Sequence, residues 1–171
     1  VYDTLVRLGT QTETGDATGR IIRSAPVQPV TARQVTDVLN SLIGPLSQTP
    51  PAFSAVKVRG HPSYWWARRR QPMILRARTV HLFDLSLIAL TDQTIRFRTR
   101  CSAGTYLRSV AEMIAQRLGT VGHLEALTRL AIGEWLLQDA RPLSWFTQAS
   151  TEMITRQMLP LSHPDARVQG V

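Results

Sequence analysis

The chain has 171 residues, 43% hydrophobic and 19% charged, a balance that excludes a disordered or fibrous polypeptide and allows one domain with a real core, with room for a small appendage. Its net charge of +8 and sequence pI of about 11.1 point to an acidic partner, nucleic acid first and a membrane surface second. The single cysteine, Cys101, excludes a disulfide framework and a cysteine-based zinc site. No run approaches the roughly 18 consecutive apolar residues of a membrane span.

Lys57 is the only lysine, so the basic character is carried by arginine. Arginine pairs bidentately with phosphate and stacks on bases, which suits RNA, although an arginine-biased genome gives the same composition. No signal-peptide pattern opens the sequence, so a reduced, cytoplasmic setting is the default expectation. The chain begins at Val1 with residues that already read as a strand, which implies a preceding segment.

Residues 2–8 carry β-branched and aromatic residues in a strand pattern, and residues 9–19 form a polar, Gly-containing loop. Residues 20–23 read as a short second strand. Thr31 and Gln34 fit a capping box, opening a helix whose apolar face is Val35, Val38, Leu39 and Leu42 and which Gly44-Pro45 ends. Pro50-Pro51 breaks the chain, after which residues 54–58 read as extended, and Gly60-His61-Pro62 as a turn. Residues 64–70 predict a short helix stopped before Pro72.

Residues 76–90 predict a long strand, turned at 91–93 and returning over 94–101. The spacing of Leu107, Val110, Ala111, Ile114 and Leu118 predicts a helix stopped by Gly119. Residues 123–130 read as helical and 131–137 as a final strand. A short helix and a loose tail follow from Pro142. No repeat or low-complexity segment is present. Hairpins and separate helices together predict an α+β fold with a mixed, largely antiparallel sheet and helices on its faces.

The most informative stretch is Cys-Ser-Ala-Gly-Thr-Tyr-Leu-Arg at 101–108, where a strand turns through small residues into a helix. Such a turn leaves backbone N–H groups free to meet an anion. Tyr106 and Arg108, in the first helical turn, supply a ring for stacking and a guanidinium for a carboxylate or phosphate. The plainer reading is an ordinary strand–turn–helix joint with a packed tyrosine and a solvated arginine.

Five stretches then line up in order: Tyr2 six residues before Leu8-Gly9; Thr-Glu-Thr-Gly-Asp-Ala-Thr-Gly at 12–19; Pro-Pro-Ala-Phe-Ser-Ala-Val-Lys-Val-Arg-Gly at 50–60; Tyr64 with Ala67-Arg68; and residues 101–108. Together they resemble the TruB-type tRNA pseudouridine synthases, which isomerise a uridine in the T-loop of tRNA. Leu-Thr-Arg-Leu at 127–130 is similar to the family's Leu-Arg-Arg segment. The resemblance covers residues 1 to about 137.

The resemblance implies that Tyr2 stacks on the target base, that Tyr106 is an active-site tyrosine, and that Arg108 pairs with the nucleophilic aspartate. It implies that residues 50–78 form a clamp on the T-loop, with Lys57, Arg59, Tyr64, Arg68 and Arg69 at the RNA. It implies that Leu127 and Arg129 belong to a segment lining the pocket. The domain it implies spans residues 1–141, followed by a short or incomplete extension over 142–171. The partner is then the T-stem-loop of tRNA, without a membrane, and the protein a monomer. No metal or organic cofactor is needed. His61, His81, His123 and His163 lack ligand spacing, and the loop at 12–19 lacks the Gly-Lys-Ser/Thr of a phosphate loop.

The chemistry fits these residue types. The target uracil must be flipped out of the loop, at a cost of a few kcal/mol. Stacking on an aromatic ring returns roughly 1–3 kcal/mol per base. A carboxylate then attacks, and a neighbouring guanidinium keeps it ionised and oriented.

The sequence departs from the family's pattern in three places. None of Asp3, Asp16, Asp37, Asp84, Asp92, Asp139 and Asp165 lies in the Gly-x-Leu-Asp-Pro context of the nucleophile. On this reading the chain lacks the catalytic aspartate, is inactive alone, and leaves a sheet edge unpaired. Arg70 stands where the family usually has Gly, and Thr128 where it has Arg. The alternative to an enzyme is a catalytically inactive tRNA-binding module or RNA chaperone. A basic interaction domain unrelated to RNA is a third reading, which predicts salt-sensitive binding to any polyanion.

Overall fold

The computed structural model describes residues 1–71 and 73–157. Strand β1 (Tyr2–Leu8) is followed by a ribbon of β2 (Thr10–Thr12) and β3 (Ile21–Ser24), then helix α1 (Ala32–Asn40) and strand β4 (Gly44–Gln48). A second ribbon, β5 (Lys57–Val58) and β6 (His61–Pro62), leads into α2 (Ser63–Arg68). The long hairpin β7 (Arg78–Leu90) and β8 (Thr94–Cys101) feeds α3 (Leu107–Arg117) and β9 (Gly122–Arg129). The remaining elements are β10 (Ala131–Ile132), β11 (Trp135–Leu136), a 3-10 turn (Leu137–Asp139), α4 (Leu143–Phe146) and α5 (Thr151–Gln157).

Five strands make one sheet in the order β4-β7-β8-β1-β9, and the α+β class expected from the sequence is the one found. β1 pairs antiparallel with β8 from Tyr2↔Thr99 to Arg7↔Thr94, β7 with β8, and β4 with β7. Period-two alternation sends Val6 and Leu8 of β1 and Ile95 and Phe97 of β8 to one face. There they meet Val35 and Leu39 of α1 and Val110, Ala111 and Ile114 of α3, all fully or nearly fully buried. Each of these Val, Leu, Ile and Phe side chains contributes about 1.5–3 kcal/mol by leaving water. Tyr2 and Thr4 have the parity of Val6, so Tyr2 packs against this core. Arg96, Arg98 and Arg100 alternate on the other face, where Arg96 grips Asp3 with Nε–Oδ1 at 2.7 Å.

The capping box forms as expected: the Gln34 backbone N–H donates to Thr31 Oγ1 (3.2 Å) and the Thr31 N–H to Gln34 Oε1 (2.8 Å). The helix stops at Asn40, however. Gly44, at φ +111°, opens β4 and does not cap α1. β4 is an edge strand, which is why its Pro45 is tolerated despite lacking an N–H.

Residues 123–130, expected to be helical, are strand β9 in all but the last position. The Leu124, Leu127 and Leu130 spacing is helical, but the open edge of β1 wins. Arg7 and Glu125 form a two-pronged ion pair there, at 2.7 and 3.0 Å. Gly122 permits the approach. A Cβ on it would stand 2.7 Å from Ala115 Cβ and 2.8 Å from the Arg7 carbonyl oxygen. The single strand expected over 131–137 is instead a tight hairpin, β10 against β11, around Gly133 at φ +55°. The turn placed at Gly60-His61-Pro62 lies one step earlier, at Arg59 (φ +49°) and Gly60 (φ +82°). That pair suits a two-residue hairpin loop, and His61–Pro62 is its return strand. The short helix is Ser63–Arg68, slightly earlier than residues 64–70. Arg70 beyond it is left-handed at φ +54°, a conformation that glycine adopts at least cost.

The chain divides into two compact units, Val1–Thr128 and a second beginning at Arg129. The first holds the sheet, α1, α2 and α3. Within the second, the Leu137 N–H donates to the Leu130 carbonyl, and Trp145 meets Phe146 edge-to-face at 5.0 Å. The loose tail expected toward the C-terminus falls largely on residues 158–171, outside the described residues. No described helix is long and apolar enough to cross a membrane.

Candidate active site

The turn from β8 to α3 is held by its own hydroxyls. The Ser102 N–H donates to the His81 carbonyl, the His81 N–H to Ser102 Oγ (2.9 Å), and Thr105 Oγ1 to the Ser102 carbonyl (2.8 Å). Gly104, at φ +79°, makes the reversal. Tyr106 is the N-cap residue of α3 but makes no side-chain cap. The carboxamide of Gln48, itself buried, serves instead: the Tyr106 N–H donates to Oε1 (2.8 Å) and Nε2 donates to the Tyr106 carbonyl (3.1 Å). The turn is therefore less open to an anion than its sequence suggests, because the N–H groups of Ser102, Thr105 and Tyr106 are already used. Gln48 is a positioning residue that sequence reasoning missed. It lies 58 residues from Tyr106, and nothing in the spacing links the two.

Arg108 ties three segments together. Its Nη1 donates to the Thr14 carbonyl (2.7 Å) and lies 3.4 Å from Asp16 Oδ2, while Nη2 donates to the Phe53 carbonyl (2.7 Å). The Arg108 side chain keeps 21% of its exposure, so it is neither the freely solvated arginine of the plainer reading nor sealed from a ligand. The carboxylate it meets in this chain is Asp16, in the Thr-Gly-Asp loop.

Asp16 is itself heavily bonded. Oδ1 accepts from Thr18 Oγ1 (2.6 Å), Thr14 Oγ1 (2.7 Å) and the Thr18 N–H (3.1 Å). Partial burial pushes its pKa up, but the Thr18 and Thr14 hydroxyls, the Thr18 N–H and Arg108 outweigh it and hold the carboxyl below its usual range. The loop is docked on β9: the Ala17 N–H donates to the Leu124 carbonyl and the Leu124 N–H to the Gly15 carbonyl, each at 3.0 Å. Gly15 (φ +77°) lies where a side chain would press on Glu112 Oε1 at 3.3 Å. Glu112, one turn along α3 from Arg108, has its pKa raised by burial against the opposing Gln11 hydrogen bond and Arg108. Glu112 too went unnoticed in the sequence, where it is one more charge on an amphipathic helix.

Tyr2 is half-buried at the start of β1, in register with Thr99, two residues before β8 ends and the turn to α3 begins. Tyr2 and Tyr106 thus belong to the same end of the sheet. A cleft of about 330 Å³ opens beside the Phe53 segment, lined by Glu13, Ala52, Phe53, Ser63, Ala67, Arg70, Gln71 and Met73. It lies between the Thr-rich loop and the 50–78 segment, and Arg108 donates to the carbonyl of its lining residue Phe53. Tyr2 and Tyr106 do not line it.

In the 50–78 segment, Lys57 and Arg59 are exposed around the β5–β6 turn. Arg68 stands 5.4 Å over the half-exposed Tyr64 ring and Arg69 3.5 Å over Trp65. Trp66 is anchored by donating Nε1–H to the Val58 carbonyl (2.9 Å). Leu127 is exposed near the end of β9, while Arg129 begins the second unit. No group of three metal-ligating side chains occurs among the described residues.

Comparison with known proteins converges on one family. Residues 1–107 match the model of the TruB family pseudouridylate synthase N-terminal domain. A tRNA pseudouridine synthase B of Solibacter usitatus is 39% identical over 152 residues, covering 89% of this chain and 52% of that protein. Proteins of the same name from Azoarcus sp. (41% over 134 residues, 78% and 44% covered) and Opitutus terrae (35% over 174 residues, 99% and 70% covered) agree. The chain thus spans about half the length of the first two. In fold it resembles a crystal structure of a Cbf5-Nop10-Gar1 complex (TM-score 0.63, 21% identity, 93% of this chain and 40% of that one). A second neighbour is an H/ACA RNP bound to a substrate RNA containing 2'-deoxyuridine (TM-score 0.59, 17% identity, 93% and 39% covered). The chain belongs to the TruB family of pseudouridylate synthases.

Proposed function

We propose that this chain is the clamp-bearing and arginine-bearing part of a tRNA pseudouridine synthase, an isomerase converting uridine to pseudouridine in the T-loop of tRNA. The observation that carries the proposal is Arg108. Its half-buried guanidinium sits at the start of α3, held by two backbone carbonyls and Asp16, with the basic, aromatic clamp attached to the same Phe53 segment. The relatives' shared name supports tRNA as the substrate class.

In this reading residues 1–141 form the synthase part, with the clamp at 50–78 and an extension beyond 142. Lys57, Arg59, Tyr64, Arg68 and Arg69 hold the T-stem-loop, and Leu127 and Arg129 border the base. Tyr2 stacks on the flipped uracil, and Tyr106 closes the site beside it. The protein acts as a monomer in the cytoplasm.

The reaction needs a carboxylate nucleophile to break the glycosidic bond and release the base for reattachment through carbon. Asp16 is a poor candidate, because three donors crowd one of its oxygens and Arg108 approaches the other. Asp3 is spent on Arg96. The nucleophile is therefore assigned to a Gly-x-Leu-Asp-Pro segment, which this sequence does not contain, with Arg108 orienting it and holding it ionised.

The test is pseudouridine formation in a T-arm hairpin RNA, with this chain alone and fused behind the Gly-x-Leu-Asp-Pro segment of a relative. Activity only in the fusion, abolished by changing the fused aspartate, is expected. Hairpin binding with no turnover in either form would favour an inactive RNA-binding module.

A further inference from the structure

The clamp carries a three-layer column that the assigned chemistry does not use. His61, Trp65 and Arg69 each lie four residues from the next. The His61 and Trp65 rings are stacked, with centroids 4.3 Å apart and planes 10° from parallel. The Arg69 guanidinium carbon stands 3.5 Å from the Trp65 centroid. The imidazole and the guanidinium cannot share one face of the indole at these distances without overlapping, so they cover opposite faces. Trp65 therefore has neither face free. Trp66 stands edge-on to both rings, at 4.7 Å from Trp65 and 6.0 Å from His61, and flanks the column.

We propose that this column is a nucleobase-stacking site, with one unstacked base of the RNA partner seated on the outer face of the Arg69 guanidinium as a fourth layer. This rests on the RNA reading above and deepens it by naming what the clamp takes. A guanidinium is planar and weakly hydrated, and it stacks on bases as an aromatic ring does. Arg69 is already held flat, by the indole beneath it and by Nη1 donating to the Trp65 carbonyl at 3.3 Å, so a base loses little by ordering it.

It also differs from arginines of β1, β8 and α3. Arg7, Arg96, Arg98, Arg100 and Arg108 each have a carboxylate within 4 Å, whereas among the described residues Arg69 has none. Lys57, Arg59, Arg68 and Arg70 of the same segment are all exposed, a positive charge that suits the backbone of a nucleic acid and opposes a cationic partner.

The experiment measures binding of the chain to a T-arm hairpin RNA and to a series of hairpins each with one abasic loop position. Arg69→Lys keeps the charge and removes the plane. It is expected to weaken the intact hairpin about five- to a hundredfold, the range of one stacked base. One abasic position should weaken the unmodified protein by a similar factor, with no further loss when variant and abasic RNA are combined. Trp65→Leu should behave like Arg69→Lys, and Trp65→Phe should retain most of the affinity. That pair decides the matter if Arg69→Lys disturbs folding. A phosphate contact would survive Arg69→Lys, so affinity within twofold of the unmodified protein overturns the proposal. Additive losses at every abasic position overturn it too, while leaving the RNA reading intact. Equal binding of the hairpin and a scrambled RNA removes both.

Discussion

Gln48 and Tyr106 exchange two hydrogen bonds through one carboxamide, so the edge strand β4 caps the helix that carries Arg108. A buried side chain on one element thereby fixes the entry angle of another.

Gln48→Ala leaves the Tyr106 N–H and carbonyl without these partners. A loss of about 1–3 kcal/mol of stability is expected, the cost of an unsatisfied buried polar group. Gln48→Glu keeps an acceptor for the Tyr106 N–H but turns an oxygen in place of the Nε2 donor onto the Tyr106 carbonyl, so it should not restore the stability of Gln48. Urea unfolding of the three proteins checks this, and equal midpoints would show that the capping contributes nothing.

Arg108→Ala removes three contacts and, in the proposed enzyme, the group that orients the nucleophile. In the fused, active form it should reduce turnover by at least about a hundredfold, in the range of positioned electrostatic groups, and reduce hairpin affinity by much less. Single-turnover rates and binding constants separate the two, and equal losses in both would contradict the role. Tyr2→Leu should slow turnover in the same assay, and an unchanged rate would leave Tyr2 a packing residue only.

Asp16 and Glu112 give opposite pH dependences. The folded-state pKa of Asp16 is depressed, so the unfolded chain binds more protons. Its contribution is present above the ordinary aspartate range and is lost as pH falls through the folded value. Glu112 is raised, so the folded chain binds more protons, and its ionisation removes stability as pH rises past the ordinary glutamate range. Glu112→Gln should therefore raise the melting temperature at pH 7 relative to pH 4. Asp16→Asn should lower it at pH 7 and flatten its acid dependence. Melting curves between pH 3 and 7 read both, and parallel curves for all three proteins would falsify the assignment.

Gly122→Ala should cost about 1–3 kcal/mol, typical of forcing a methyl into a packed interior, since its Cβ meets Ala115 and the Arg7 carbonyl. At Gly60 (φ +82°) a Cβ meets nothing within 4 Å, so Gly60→Ala should cost only the left-handed backbone strain, about 1 kcal/mol. Thermal unfolding compares them.

Arg70→Gly relieves a left-handed backbone at φ +54°, and a gain of up to about 1 kcal/mol is expected, reduced by the entropy of an added glycine. Arg70 also lines the cleft beside Phe53, so hairpin affinity should fall while stability holds or rises. Loss of both would mean that Arg70 makes a structural contact outweighing its strain.

Local rules reached much of this protein. β1, β7, β8, the body of α3 and the Thr31 capping box were readable because alternation, apolar periodicity and a cap depend on residues a few positions apart. The ordered motifs identified the family for the same reason. Tertiary structure alone decided the rest. β9 looked helical, but the open edge of β1 and the absent side chain of Gly122 drew it into the sheet. His61 and Arg69 cover the two faces of Trp65, an arrangement that only the folded segment creates. Arg108 was singled out from its neighbours, yet its partners Thr14, Asp16 and Phe53 come from loops that only folding brings to one place. A side chain's preferences are written in its own neighbourhood, whereas its partners depend on which distant backbone groups the fold leaves unsatisfied.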